Sequence, residues 1–141
     1  MIQKGFTVIE LIVVMGITLT LFAIGSLAFI KPQQKVNIES VVNTLITDIK
    51  SQQTKAMSGE TNSDYTIHFE TDSYILDNFT VALDESIKIT DITFNNQDLI
   101  FQKGSGEVNF VIGQNSLVIE NESGDESVQI SINKYGAINT N

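Results

Sequence analysis

Three regimes of hydrophobic patterning divide the chain. From Leu11 through Ile30 there are 20 residues without a charge, interrupted only by Gly16 and Gly25 and by the hydroxyls of Thr18, Thr20 and Ser26. A helix needs about 20 apolar residues to cross a bilayer, and a core helix of a soluble protein would show a polar face that is missing here. The run therefore predicts a membrane helix, with its hydroxyls back-bonded to helix carbonyls. Beyond it, Ile38, Val42, Leu45, Ile49, Gln52 and Ala56 recur at alternating four-three spacing, with Val41, Ile46 and Met57 widening the stripe. Glu39, Thr47, Asp48, Lys50 and Lys55 occupy the opposite face. That period predicts an amphipathic helix that stops at Ser58, with Gly59 as its C′ residue.

From Asn62 onward the period changes to two. Tyr65, Ile67 and Phe69 alternate with Thr66, His68 and Glu70, the pattern of a half-buried strand. Further strands are predicted at 73–76, 79–83, 87–94, 99–102, 107–112, 116–120, 128–132 and near 135–138. Turn residues separate them: Asn95-Asn96, Lys103-Gly104-Ser105-Gly106, Gly113-Gln114-Asn115 and Glu122-Ser123-Gly124-Asp125. Strands at close spacing with no second helical pattern predict an α+β chain whose head is an antiparallel meander or a pair of sheets. The two helical stretches read as one long element from Phe6 to Ser58, about 80 Å at 1.5 Å per residue. Pro32 is expected to bend it, and Lys31 and Lys35 to mark the outer membrane interface. The expected divisions are residues 6–30 for the membrane segment, 31–59 for the amphipathic helix and 60–141 for the head.

Charge narrows the function classes. The chain has 8 basic and 17 acidic residues, and the part from Lys31 onward alone carries a net charge of −9. Such a field repels phosphate backbones and anionic lipid surfaces, which argues against a nucleic-acid partner. With no cysteine, neither a disulfide framework nor a thiolate metal site can form.

The amino terminus holds the most specific signal. A five-residue leader, Met1-Ile2-Gln3-Lys4-Gly5, precedes Phe6, and Glu10 lies four residues further into apolar sequence. A carboxylate at the centre of a membrane segment costs roughly 2.5–3.5 kcal/mol on insertion scales, so its presence there needs a reason. Gly5-Phe6-Thr7-Val8-Ile9-Glu10-Leu11 resembles the cleavage and methylation motif of type IV prepilins and type II secretion pseudopilins. The resemblance implies that a membrane peptidase cuts after Gly5, removing residues 1–5 as a leader. It implies that Phe6 becomes an N-methylated amino terminus and that Glu10, then fifth in the mature chain, aids methylation and assembly. Elementary electrostatics agrees with that role. The freed amine at Phe6 is a cation at the head of an apolar helix, and a neighbour's Glu10 can neutralise it, since two desolvated charges are tolerable only when paired.

Alternatives exist for the same residues. Glu10 stands about one helical turn (~6 Å) from Phe6 and could reach the cytoplasmic headgroups unaided. Ser26-Leu27-Ala28 is a passable signal-peptidase site, although one Lys in the leader and the length of the apolar run fit a secretory signal poorly.

Within the superfamily the head is most similar to the H-type minor pseudopilins. Asn43-Thr44-Leu45 to Lys50 followed by Gln53-Thr54-Lys55-Ala56 resembles their late-helix segment. Ile100-Phe101-Gln102-Lys103-Gly104 resembles their turn after phenylalanine, and Val128–Ile132 before Tyr135-Gly136 their closing strand. Two departures from the major pilins stand out: Pro32 lies further along than the usual proline, and Leu19 occupies a frequent glycine position. The resemblance implies a long helix packed on an antiparallel sheet, held in the cytoplasmic membrane by a single pass with the leader inside and the head outside. It implies as partners a prepilin peptidase and methyltransferase, other pilins or pseudopilins, an inner-membrane assembly platform and membrane lipid. The expected function is that of a minor structural subunit of a secretion or pilus-like filament. A ligand-capturing minor pilin and an anchored domain without a filament are the alternatives.

Signals for catalysis are few. His68 is the single histidine, and its strand position reads as a solvated face. There is no phosphate-binding glycine loop, and neither a cofactor nor a catalytic residue is expected. Glu122, Asp125 and Glu126 offer carboxylates that a hard cation favours, yet their spacing matches no calcium loop and reads as a solvated acidic turn.

Overall fold

The computed structural model describes residues 7–28 and 30–141, with side chains described for 7–22 and 38–141. Two compact units divide the chain, Met1–Lys35 and Val36–Asn141.

In the first unit, helix α1 runs Val8–Ala28 and helix α2 begins at Ile30. The helix expected over Phe6–Ser58 is helical at Val8–Ala28 and again at Ile30–Ser58, and position 29 lies outside the described residues. In α1 the hydroxyls of Thr18 and Thr20 donate to the carbonyls of Val14 (2.7 Å) and Gly16 (2.6 Å), as expected for hydroxyls in apolar surroundings. Among the described residues no helix is long and apolar enough to cross a membrane.

In the second unit, α2 continues to Ser58. All six residues of the four-three stripe are buried: Ile38, Val42, Leu45, Ile49, Gln52 and Ala56. Val41 and Ile46 pack half-buried at its margins, but Met57 is 57% exposed and does not widen the stripe. Gly59 follows with φ +64 and donates its N–H to Ala56 O; this left-handed conformation ends the helix where the pattern stops.

The head contains eight strands in two antiparallel sheets. β1 (Tyr65–Phe69), β2 (Ser73–Leu76), β3 (Phe79–Ala82) and β5 (Asp98–Phe101) form one, ordered β3-β2-β1-β5. β4 (Ile87–Thr90), β6 (Ser116–Asn121), β7 (Ser127–Ile132) and β8 (Ile138–Thr140) form the other, ordered β4-β6-β7-β8. Each sheet turns alternate residues inward: Ile67, Phe69, Leu99 and Phe101 from the first, Ile89, Leu117, Ile119, Ile130 and Ile132 from the second, with the α2 stripe in the same apolar cluster.

Three expected strands differ. The run 87–94 ends at Thr90 because Asp91 takes φ +46. Past that kink, Thr93 bonds Ser116 through its side chain as well as its backbone. Residues 107–112 are not a strand: Val108 N–H goes to Lys134 O in the turn after β7, whereas Asn109 N–H goes to Ile100 O on β5. Only isolated bridges, Phe101 with Val108 and Val111 with Gln114, remain. The last strand begins at Ile138, not Tyr135, because Gly136 (φ +76) closes a turn onto Asn133.

Candidate functional site

At the head of α1 the chain builds a local device that hydropathy alone does not reveal. Thr7 precedes the first helical residue, and its hydroxyl accepts the N–H of Glu10 at 3.3 Å. Glu10 reaches back: its Oε2 accepts the Thr7 N–H at 2.9 Å and the Thr7 hydroxyl at 2.8 Å. This reciprocal pairing is a capping box, and it satisfies helix-start donors that have no partner within the helix. The signal was present as Thr-x-x-Glu, but Glu10 draws attention first as a charge in apolar sequence. Both bonds fall on Oε2, and Oε1 has no hydrogen-bond partner among the described residues. Oε1 is the position at which a second donor, such as an ammonium, can be received without breaking the cap. Residues 1–6, which include the expected leader through Gly5 and the expected new terminus at Phe6, lie outside the described residues.

Around this carboxylate the surface is mostly apolar, broken by the hydroxyls of Thr7, Thr18 and Thr20. Eleven large side chains from Val8 to Phe22 are each 54–77% exposed. Apolar surface on that scale needs a covering, whether lipid or another chain.

Elsewhere the head holds structural pairings. Tyr74, buried in β2, donates its hydroxyl to Asp48 Oδ2 on α2 at 2.6 Å. Burial, then the bond to Asp48 and its charge, push the Tyr74 hydroxyl well above its usual range. Gln53 donates Nε2 to Gly106 O (3.1 Å) and to Tyr135 O (2.9 Å), and Gly104 N–H bonds Ala56 O at 2.8 Å. A Cβ at Gly106 would collide with Met57, and one at Gly136 with the Gln53 amide. The end of α2 is therefore clamped by two glycine turns far away in sequence, contacts that no local pattern could indicate.

His68 sits on β1 opposite Asp98 on β5, with Nδ1 2.7 Å from Asp98 Oδ1. It is a partly exposed cross-strand pair. Among the described residues no group of three or more His, Cys, Asp or Glu side chains could hold a metal ion, so Glu122, Asp125 and Glu126 do not converge. Instead Glu122 pairs loosely with Lys88 at 3.9 Å. A groove of about 550 Å³ is lined by Glu70, Asp72, Asp84, Glu85 and Lys88 with nearby apolar residues. In it, the hydroxyl and N–H of Ser86 hold Asp84 below the usual carboxylate range. A second shallow groove of similar size follows the solvent face of α2 between Glu39 and Asp48.

The cap at Glu10 and the bare apolar helix it heads are thus the arrangement that most demands a function. Comparison with family models, with curated proteins and with solved structures finds no match to this chain.

Proposed function

We propose that the chain is a minor pilin-like subunit: a precursor held in the cytoplasmic membrane by its apolar helix, trimmed after Gly5, and packed through that helix into a filament. The observation that carries this reading is a helix apolar on every side and exposed along its described length, with its single carboxylate in the first turn. The 20-residue uncharged run Leu11–Ile30 has the length for one membrane pass. Lipid covers the helix before assembly and neighbouring helices cover it afterwards.

In this reading Glu10 has two tasks on two oxygens. Oε2 caps its own helix through Thr7, while Oε1 receives the amine of a neighbouring subunit's Phe6. An ammonium buried without a counter-ion is strongly unfavourable and a paired one is tolerable, so only the register that brings the two together is stable. The head, an α2 stripe sealed onto two sheets, travels as a rigid cargo on the outer side. Residues that carry the likeness to H-type pseudopilins support the reading in one further way: Gln53, Gly104 and the Tyr135-Gly136 pair lie at one place, the clamp at the end of α2.

The test is incorporation. Glu10→Gln keeps an oxygen for the cap and removes the charge, whereas Glu10→Ala removes both. Both variants should enter the membrane at the wild-type level, and both should be lost from sheared filament fractions. Wild-type incorporation of Glu10→Gln would refute the charge pairing.

A further inference from the structure

We propose that Asn78 is an acceptor for an N-linked saccharide on the outward-facing head. Two Asn-x-Ser/Thr triplets occur in the described strands and turns, Asn78-Phe79-Thr80 and Asn121-Glu122-Ser123, and the fold treats them oppositely. Such a triplet marks an acceptor only where the asparagine amide reaches solvent.

Asn121 fails that requirement. It is 3% exposed and lies within the β4–β6 ladder opposite Ile87. Its Oδ1 accepts the Glu126 N–H, and its Nδ2, the atom that would be glycosylated, is itself buried. Asn78 satisfies it. Leu76 pairs with Phe79 across a two-residue turn, Asp77-Asn78, in which Asp77 takes φ +53. Asn78, Phe79 and Thr80 are all exposed, and the Thr80 hydroxyl has no hydrogen-bond partner among the described residues. Both groups that define the acceptor, amide and hydroxyl, are thus presented together on a hairpin tip.

The position also fits what a saccharide does physically. β3 is the edge of its sheet, its outer backbone groups are unpaired by any strand, and Phe79 is 69% exposed. An edge strand with an exposed aromatic is a template for unwanted pairing, and a hydrated saccharide at its first turn screens it sterically.

The co-substrate is an oligosaccharide carried on a lipid pyrophosphate. Asn78 Nδ2 forms a bond to the anomeric carbon as the bond from that carbon to phosphate oxygen breaks. The lipid pyrophosphate leaves with the electron pair, the displaced amide proton passes to solvent, and nothing is oxidised or reduced.

This inference rests on the head facing outward, as proposed above, so the experiment reads both. The full chain is recovered from the cells that make it, tested for cleavage of its head by protease added outside, and mapped by mass spectrometry of its peptides. The expected result is a saccharide increment on the Asn78 peptide that disappears in Asn78→Gln and Thr80→Ala and persists in Thr80→Ser, with Asn121 bare. A bare Asn78 on a chain with an accessible head overturns the inference and leaves the filament reading standing. An increment at Asn121 or one that survives Asn78→Gln also overturns it, and an inaccessible head overturns both.

Discussion

The same aliphatic residues occupy two regions of this molecule on opposite terms. In α1, valines, isoleucines and leucines stand more than half exposed from Val8 to Phe22; in α2 and the sheets, the inward-facing residues of the same types, such as Leu45, Ile67 and Ile119, are fully buried. The head builds its own interior, because stripe and strands alternate apolar with polar positions and can turn one side inward. Helix α1 has no polar side to turn outward, and its interior has to come from outside the chain. Both the pattern and the share of polar residues therefore separate them.

Substitutions can break this contrast, and the largest effect is expected in the head. Leu45→Ala removes a fully buried side chain from the α2 stripe and should cost about 2–5 kcal/mol. Leu11→Ala should change head stability by less than about 0.5 kcal/mol. Thermal unfolding of the detergent-held full chain, followed by near-ultraviolet dichroism of the head tyrosines, checks both; equal losses would abolish the distinction. Next comes the clamp. Gly136→Ala places a strained residue at φ +76 and a methyl against Gln53, for an expected loss of roughly 1–3 kcal/mol in the same assay.

Tyr74→Phe should cost about 1–3 kcal/mol by leaving the half-buried Asp48 without its donor. It also carries a pH signature. Because burial and Asp48 raise the tyrosine's pKa in the folded state, its contribution is complete below about pH 10, where unfolded tyrosine titrates. That contribution is lost as pH climbs beyond that value. Wild-type stability should therefore fall above pH ~10, and Tyr74→Phe should flatten that fall. The smallest effect belongs to the cap: Thr7→Ala should lower helix stability by about 0.5–2 kcal/mol while Thr7→Ser retains most of it, read from amide exchange in the first turn of α1.

Much of the architecture was legible because it is periodic. The stripe from Ile38 to Ala56 and the alternation at Tyr65, Ile67 and Phe69 place the core correctly, since each records which face meets it. Legibility failed where hydrogen bonding, not hydrophobicity, decides. Val108, Phe110 and Ile112 alternate like a strand, yet Val108 donates its N–H to a turn at Lys134 while Asn109 donates to Ile100 on β5. Gln53 gives no local hint that it bonds a carbonyl 82 residues away. At the candidate site the carboxylate was conspicuous from the sequence, while its reciprocal bond to Thr7 emerged only from the geometry.

The mass of the mature chain tests the central claim most directly. Protein taken from filaments, or from membranes of cells with an intact prepilin peptidase, should begin at Phe6 and carry one added methyl at that amine; in cells lacking the peptidase it should retain Met1–Gly5. A working subunit that still begins at Met1 would contradict the account.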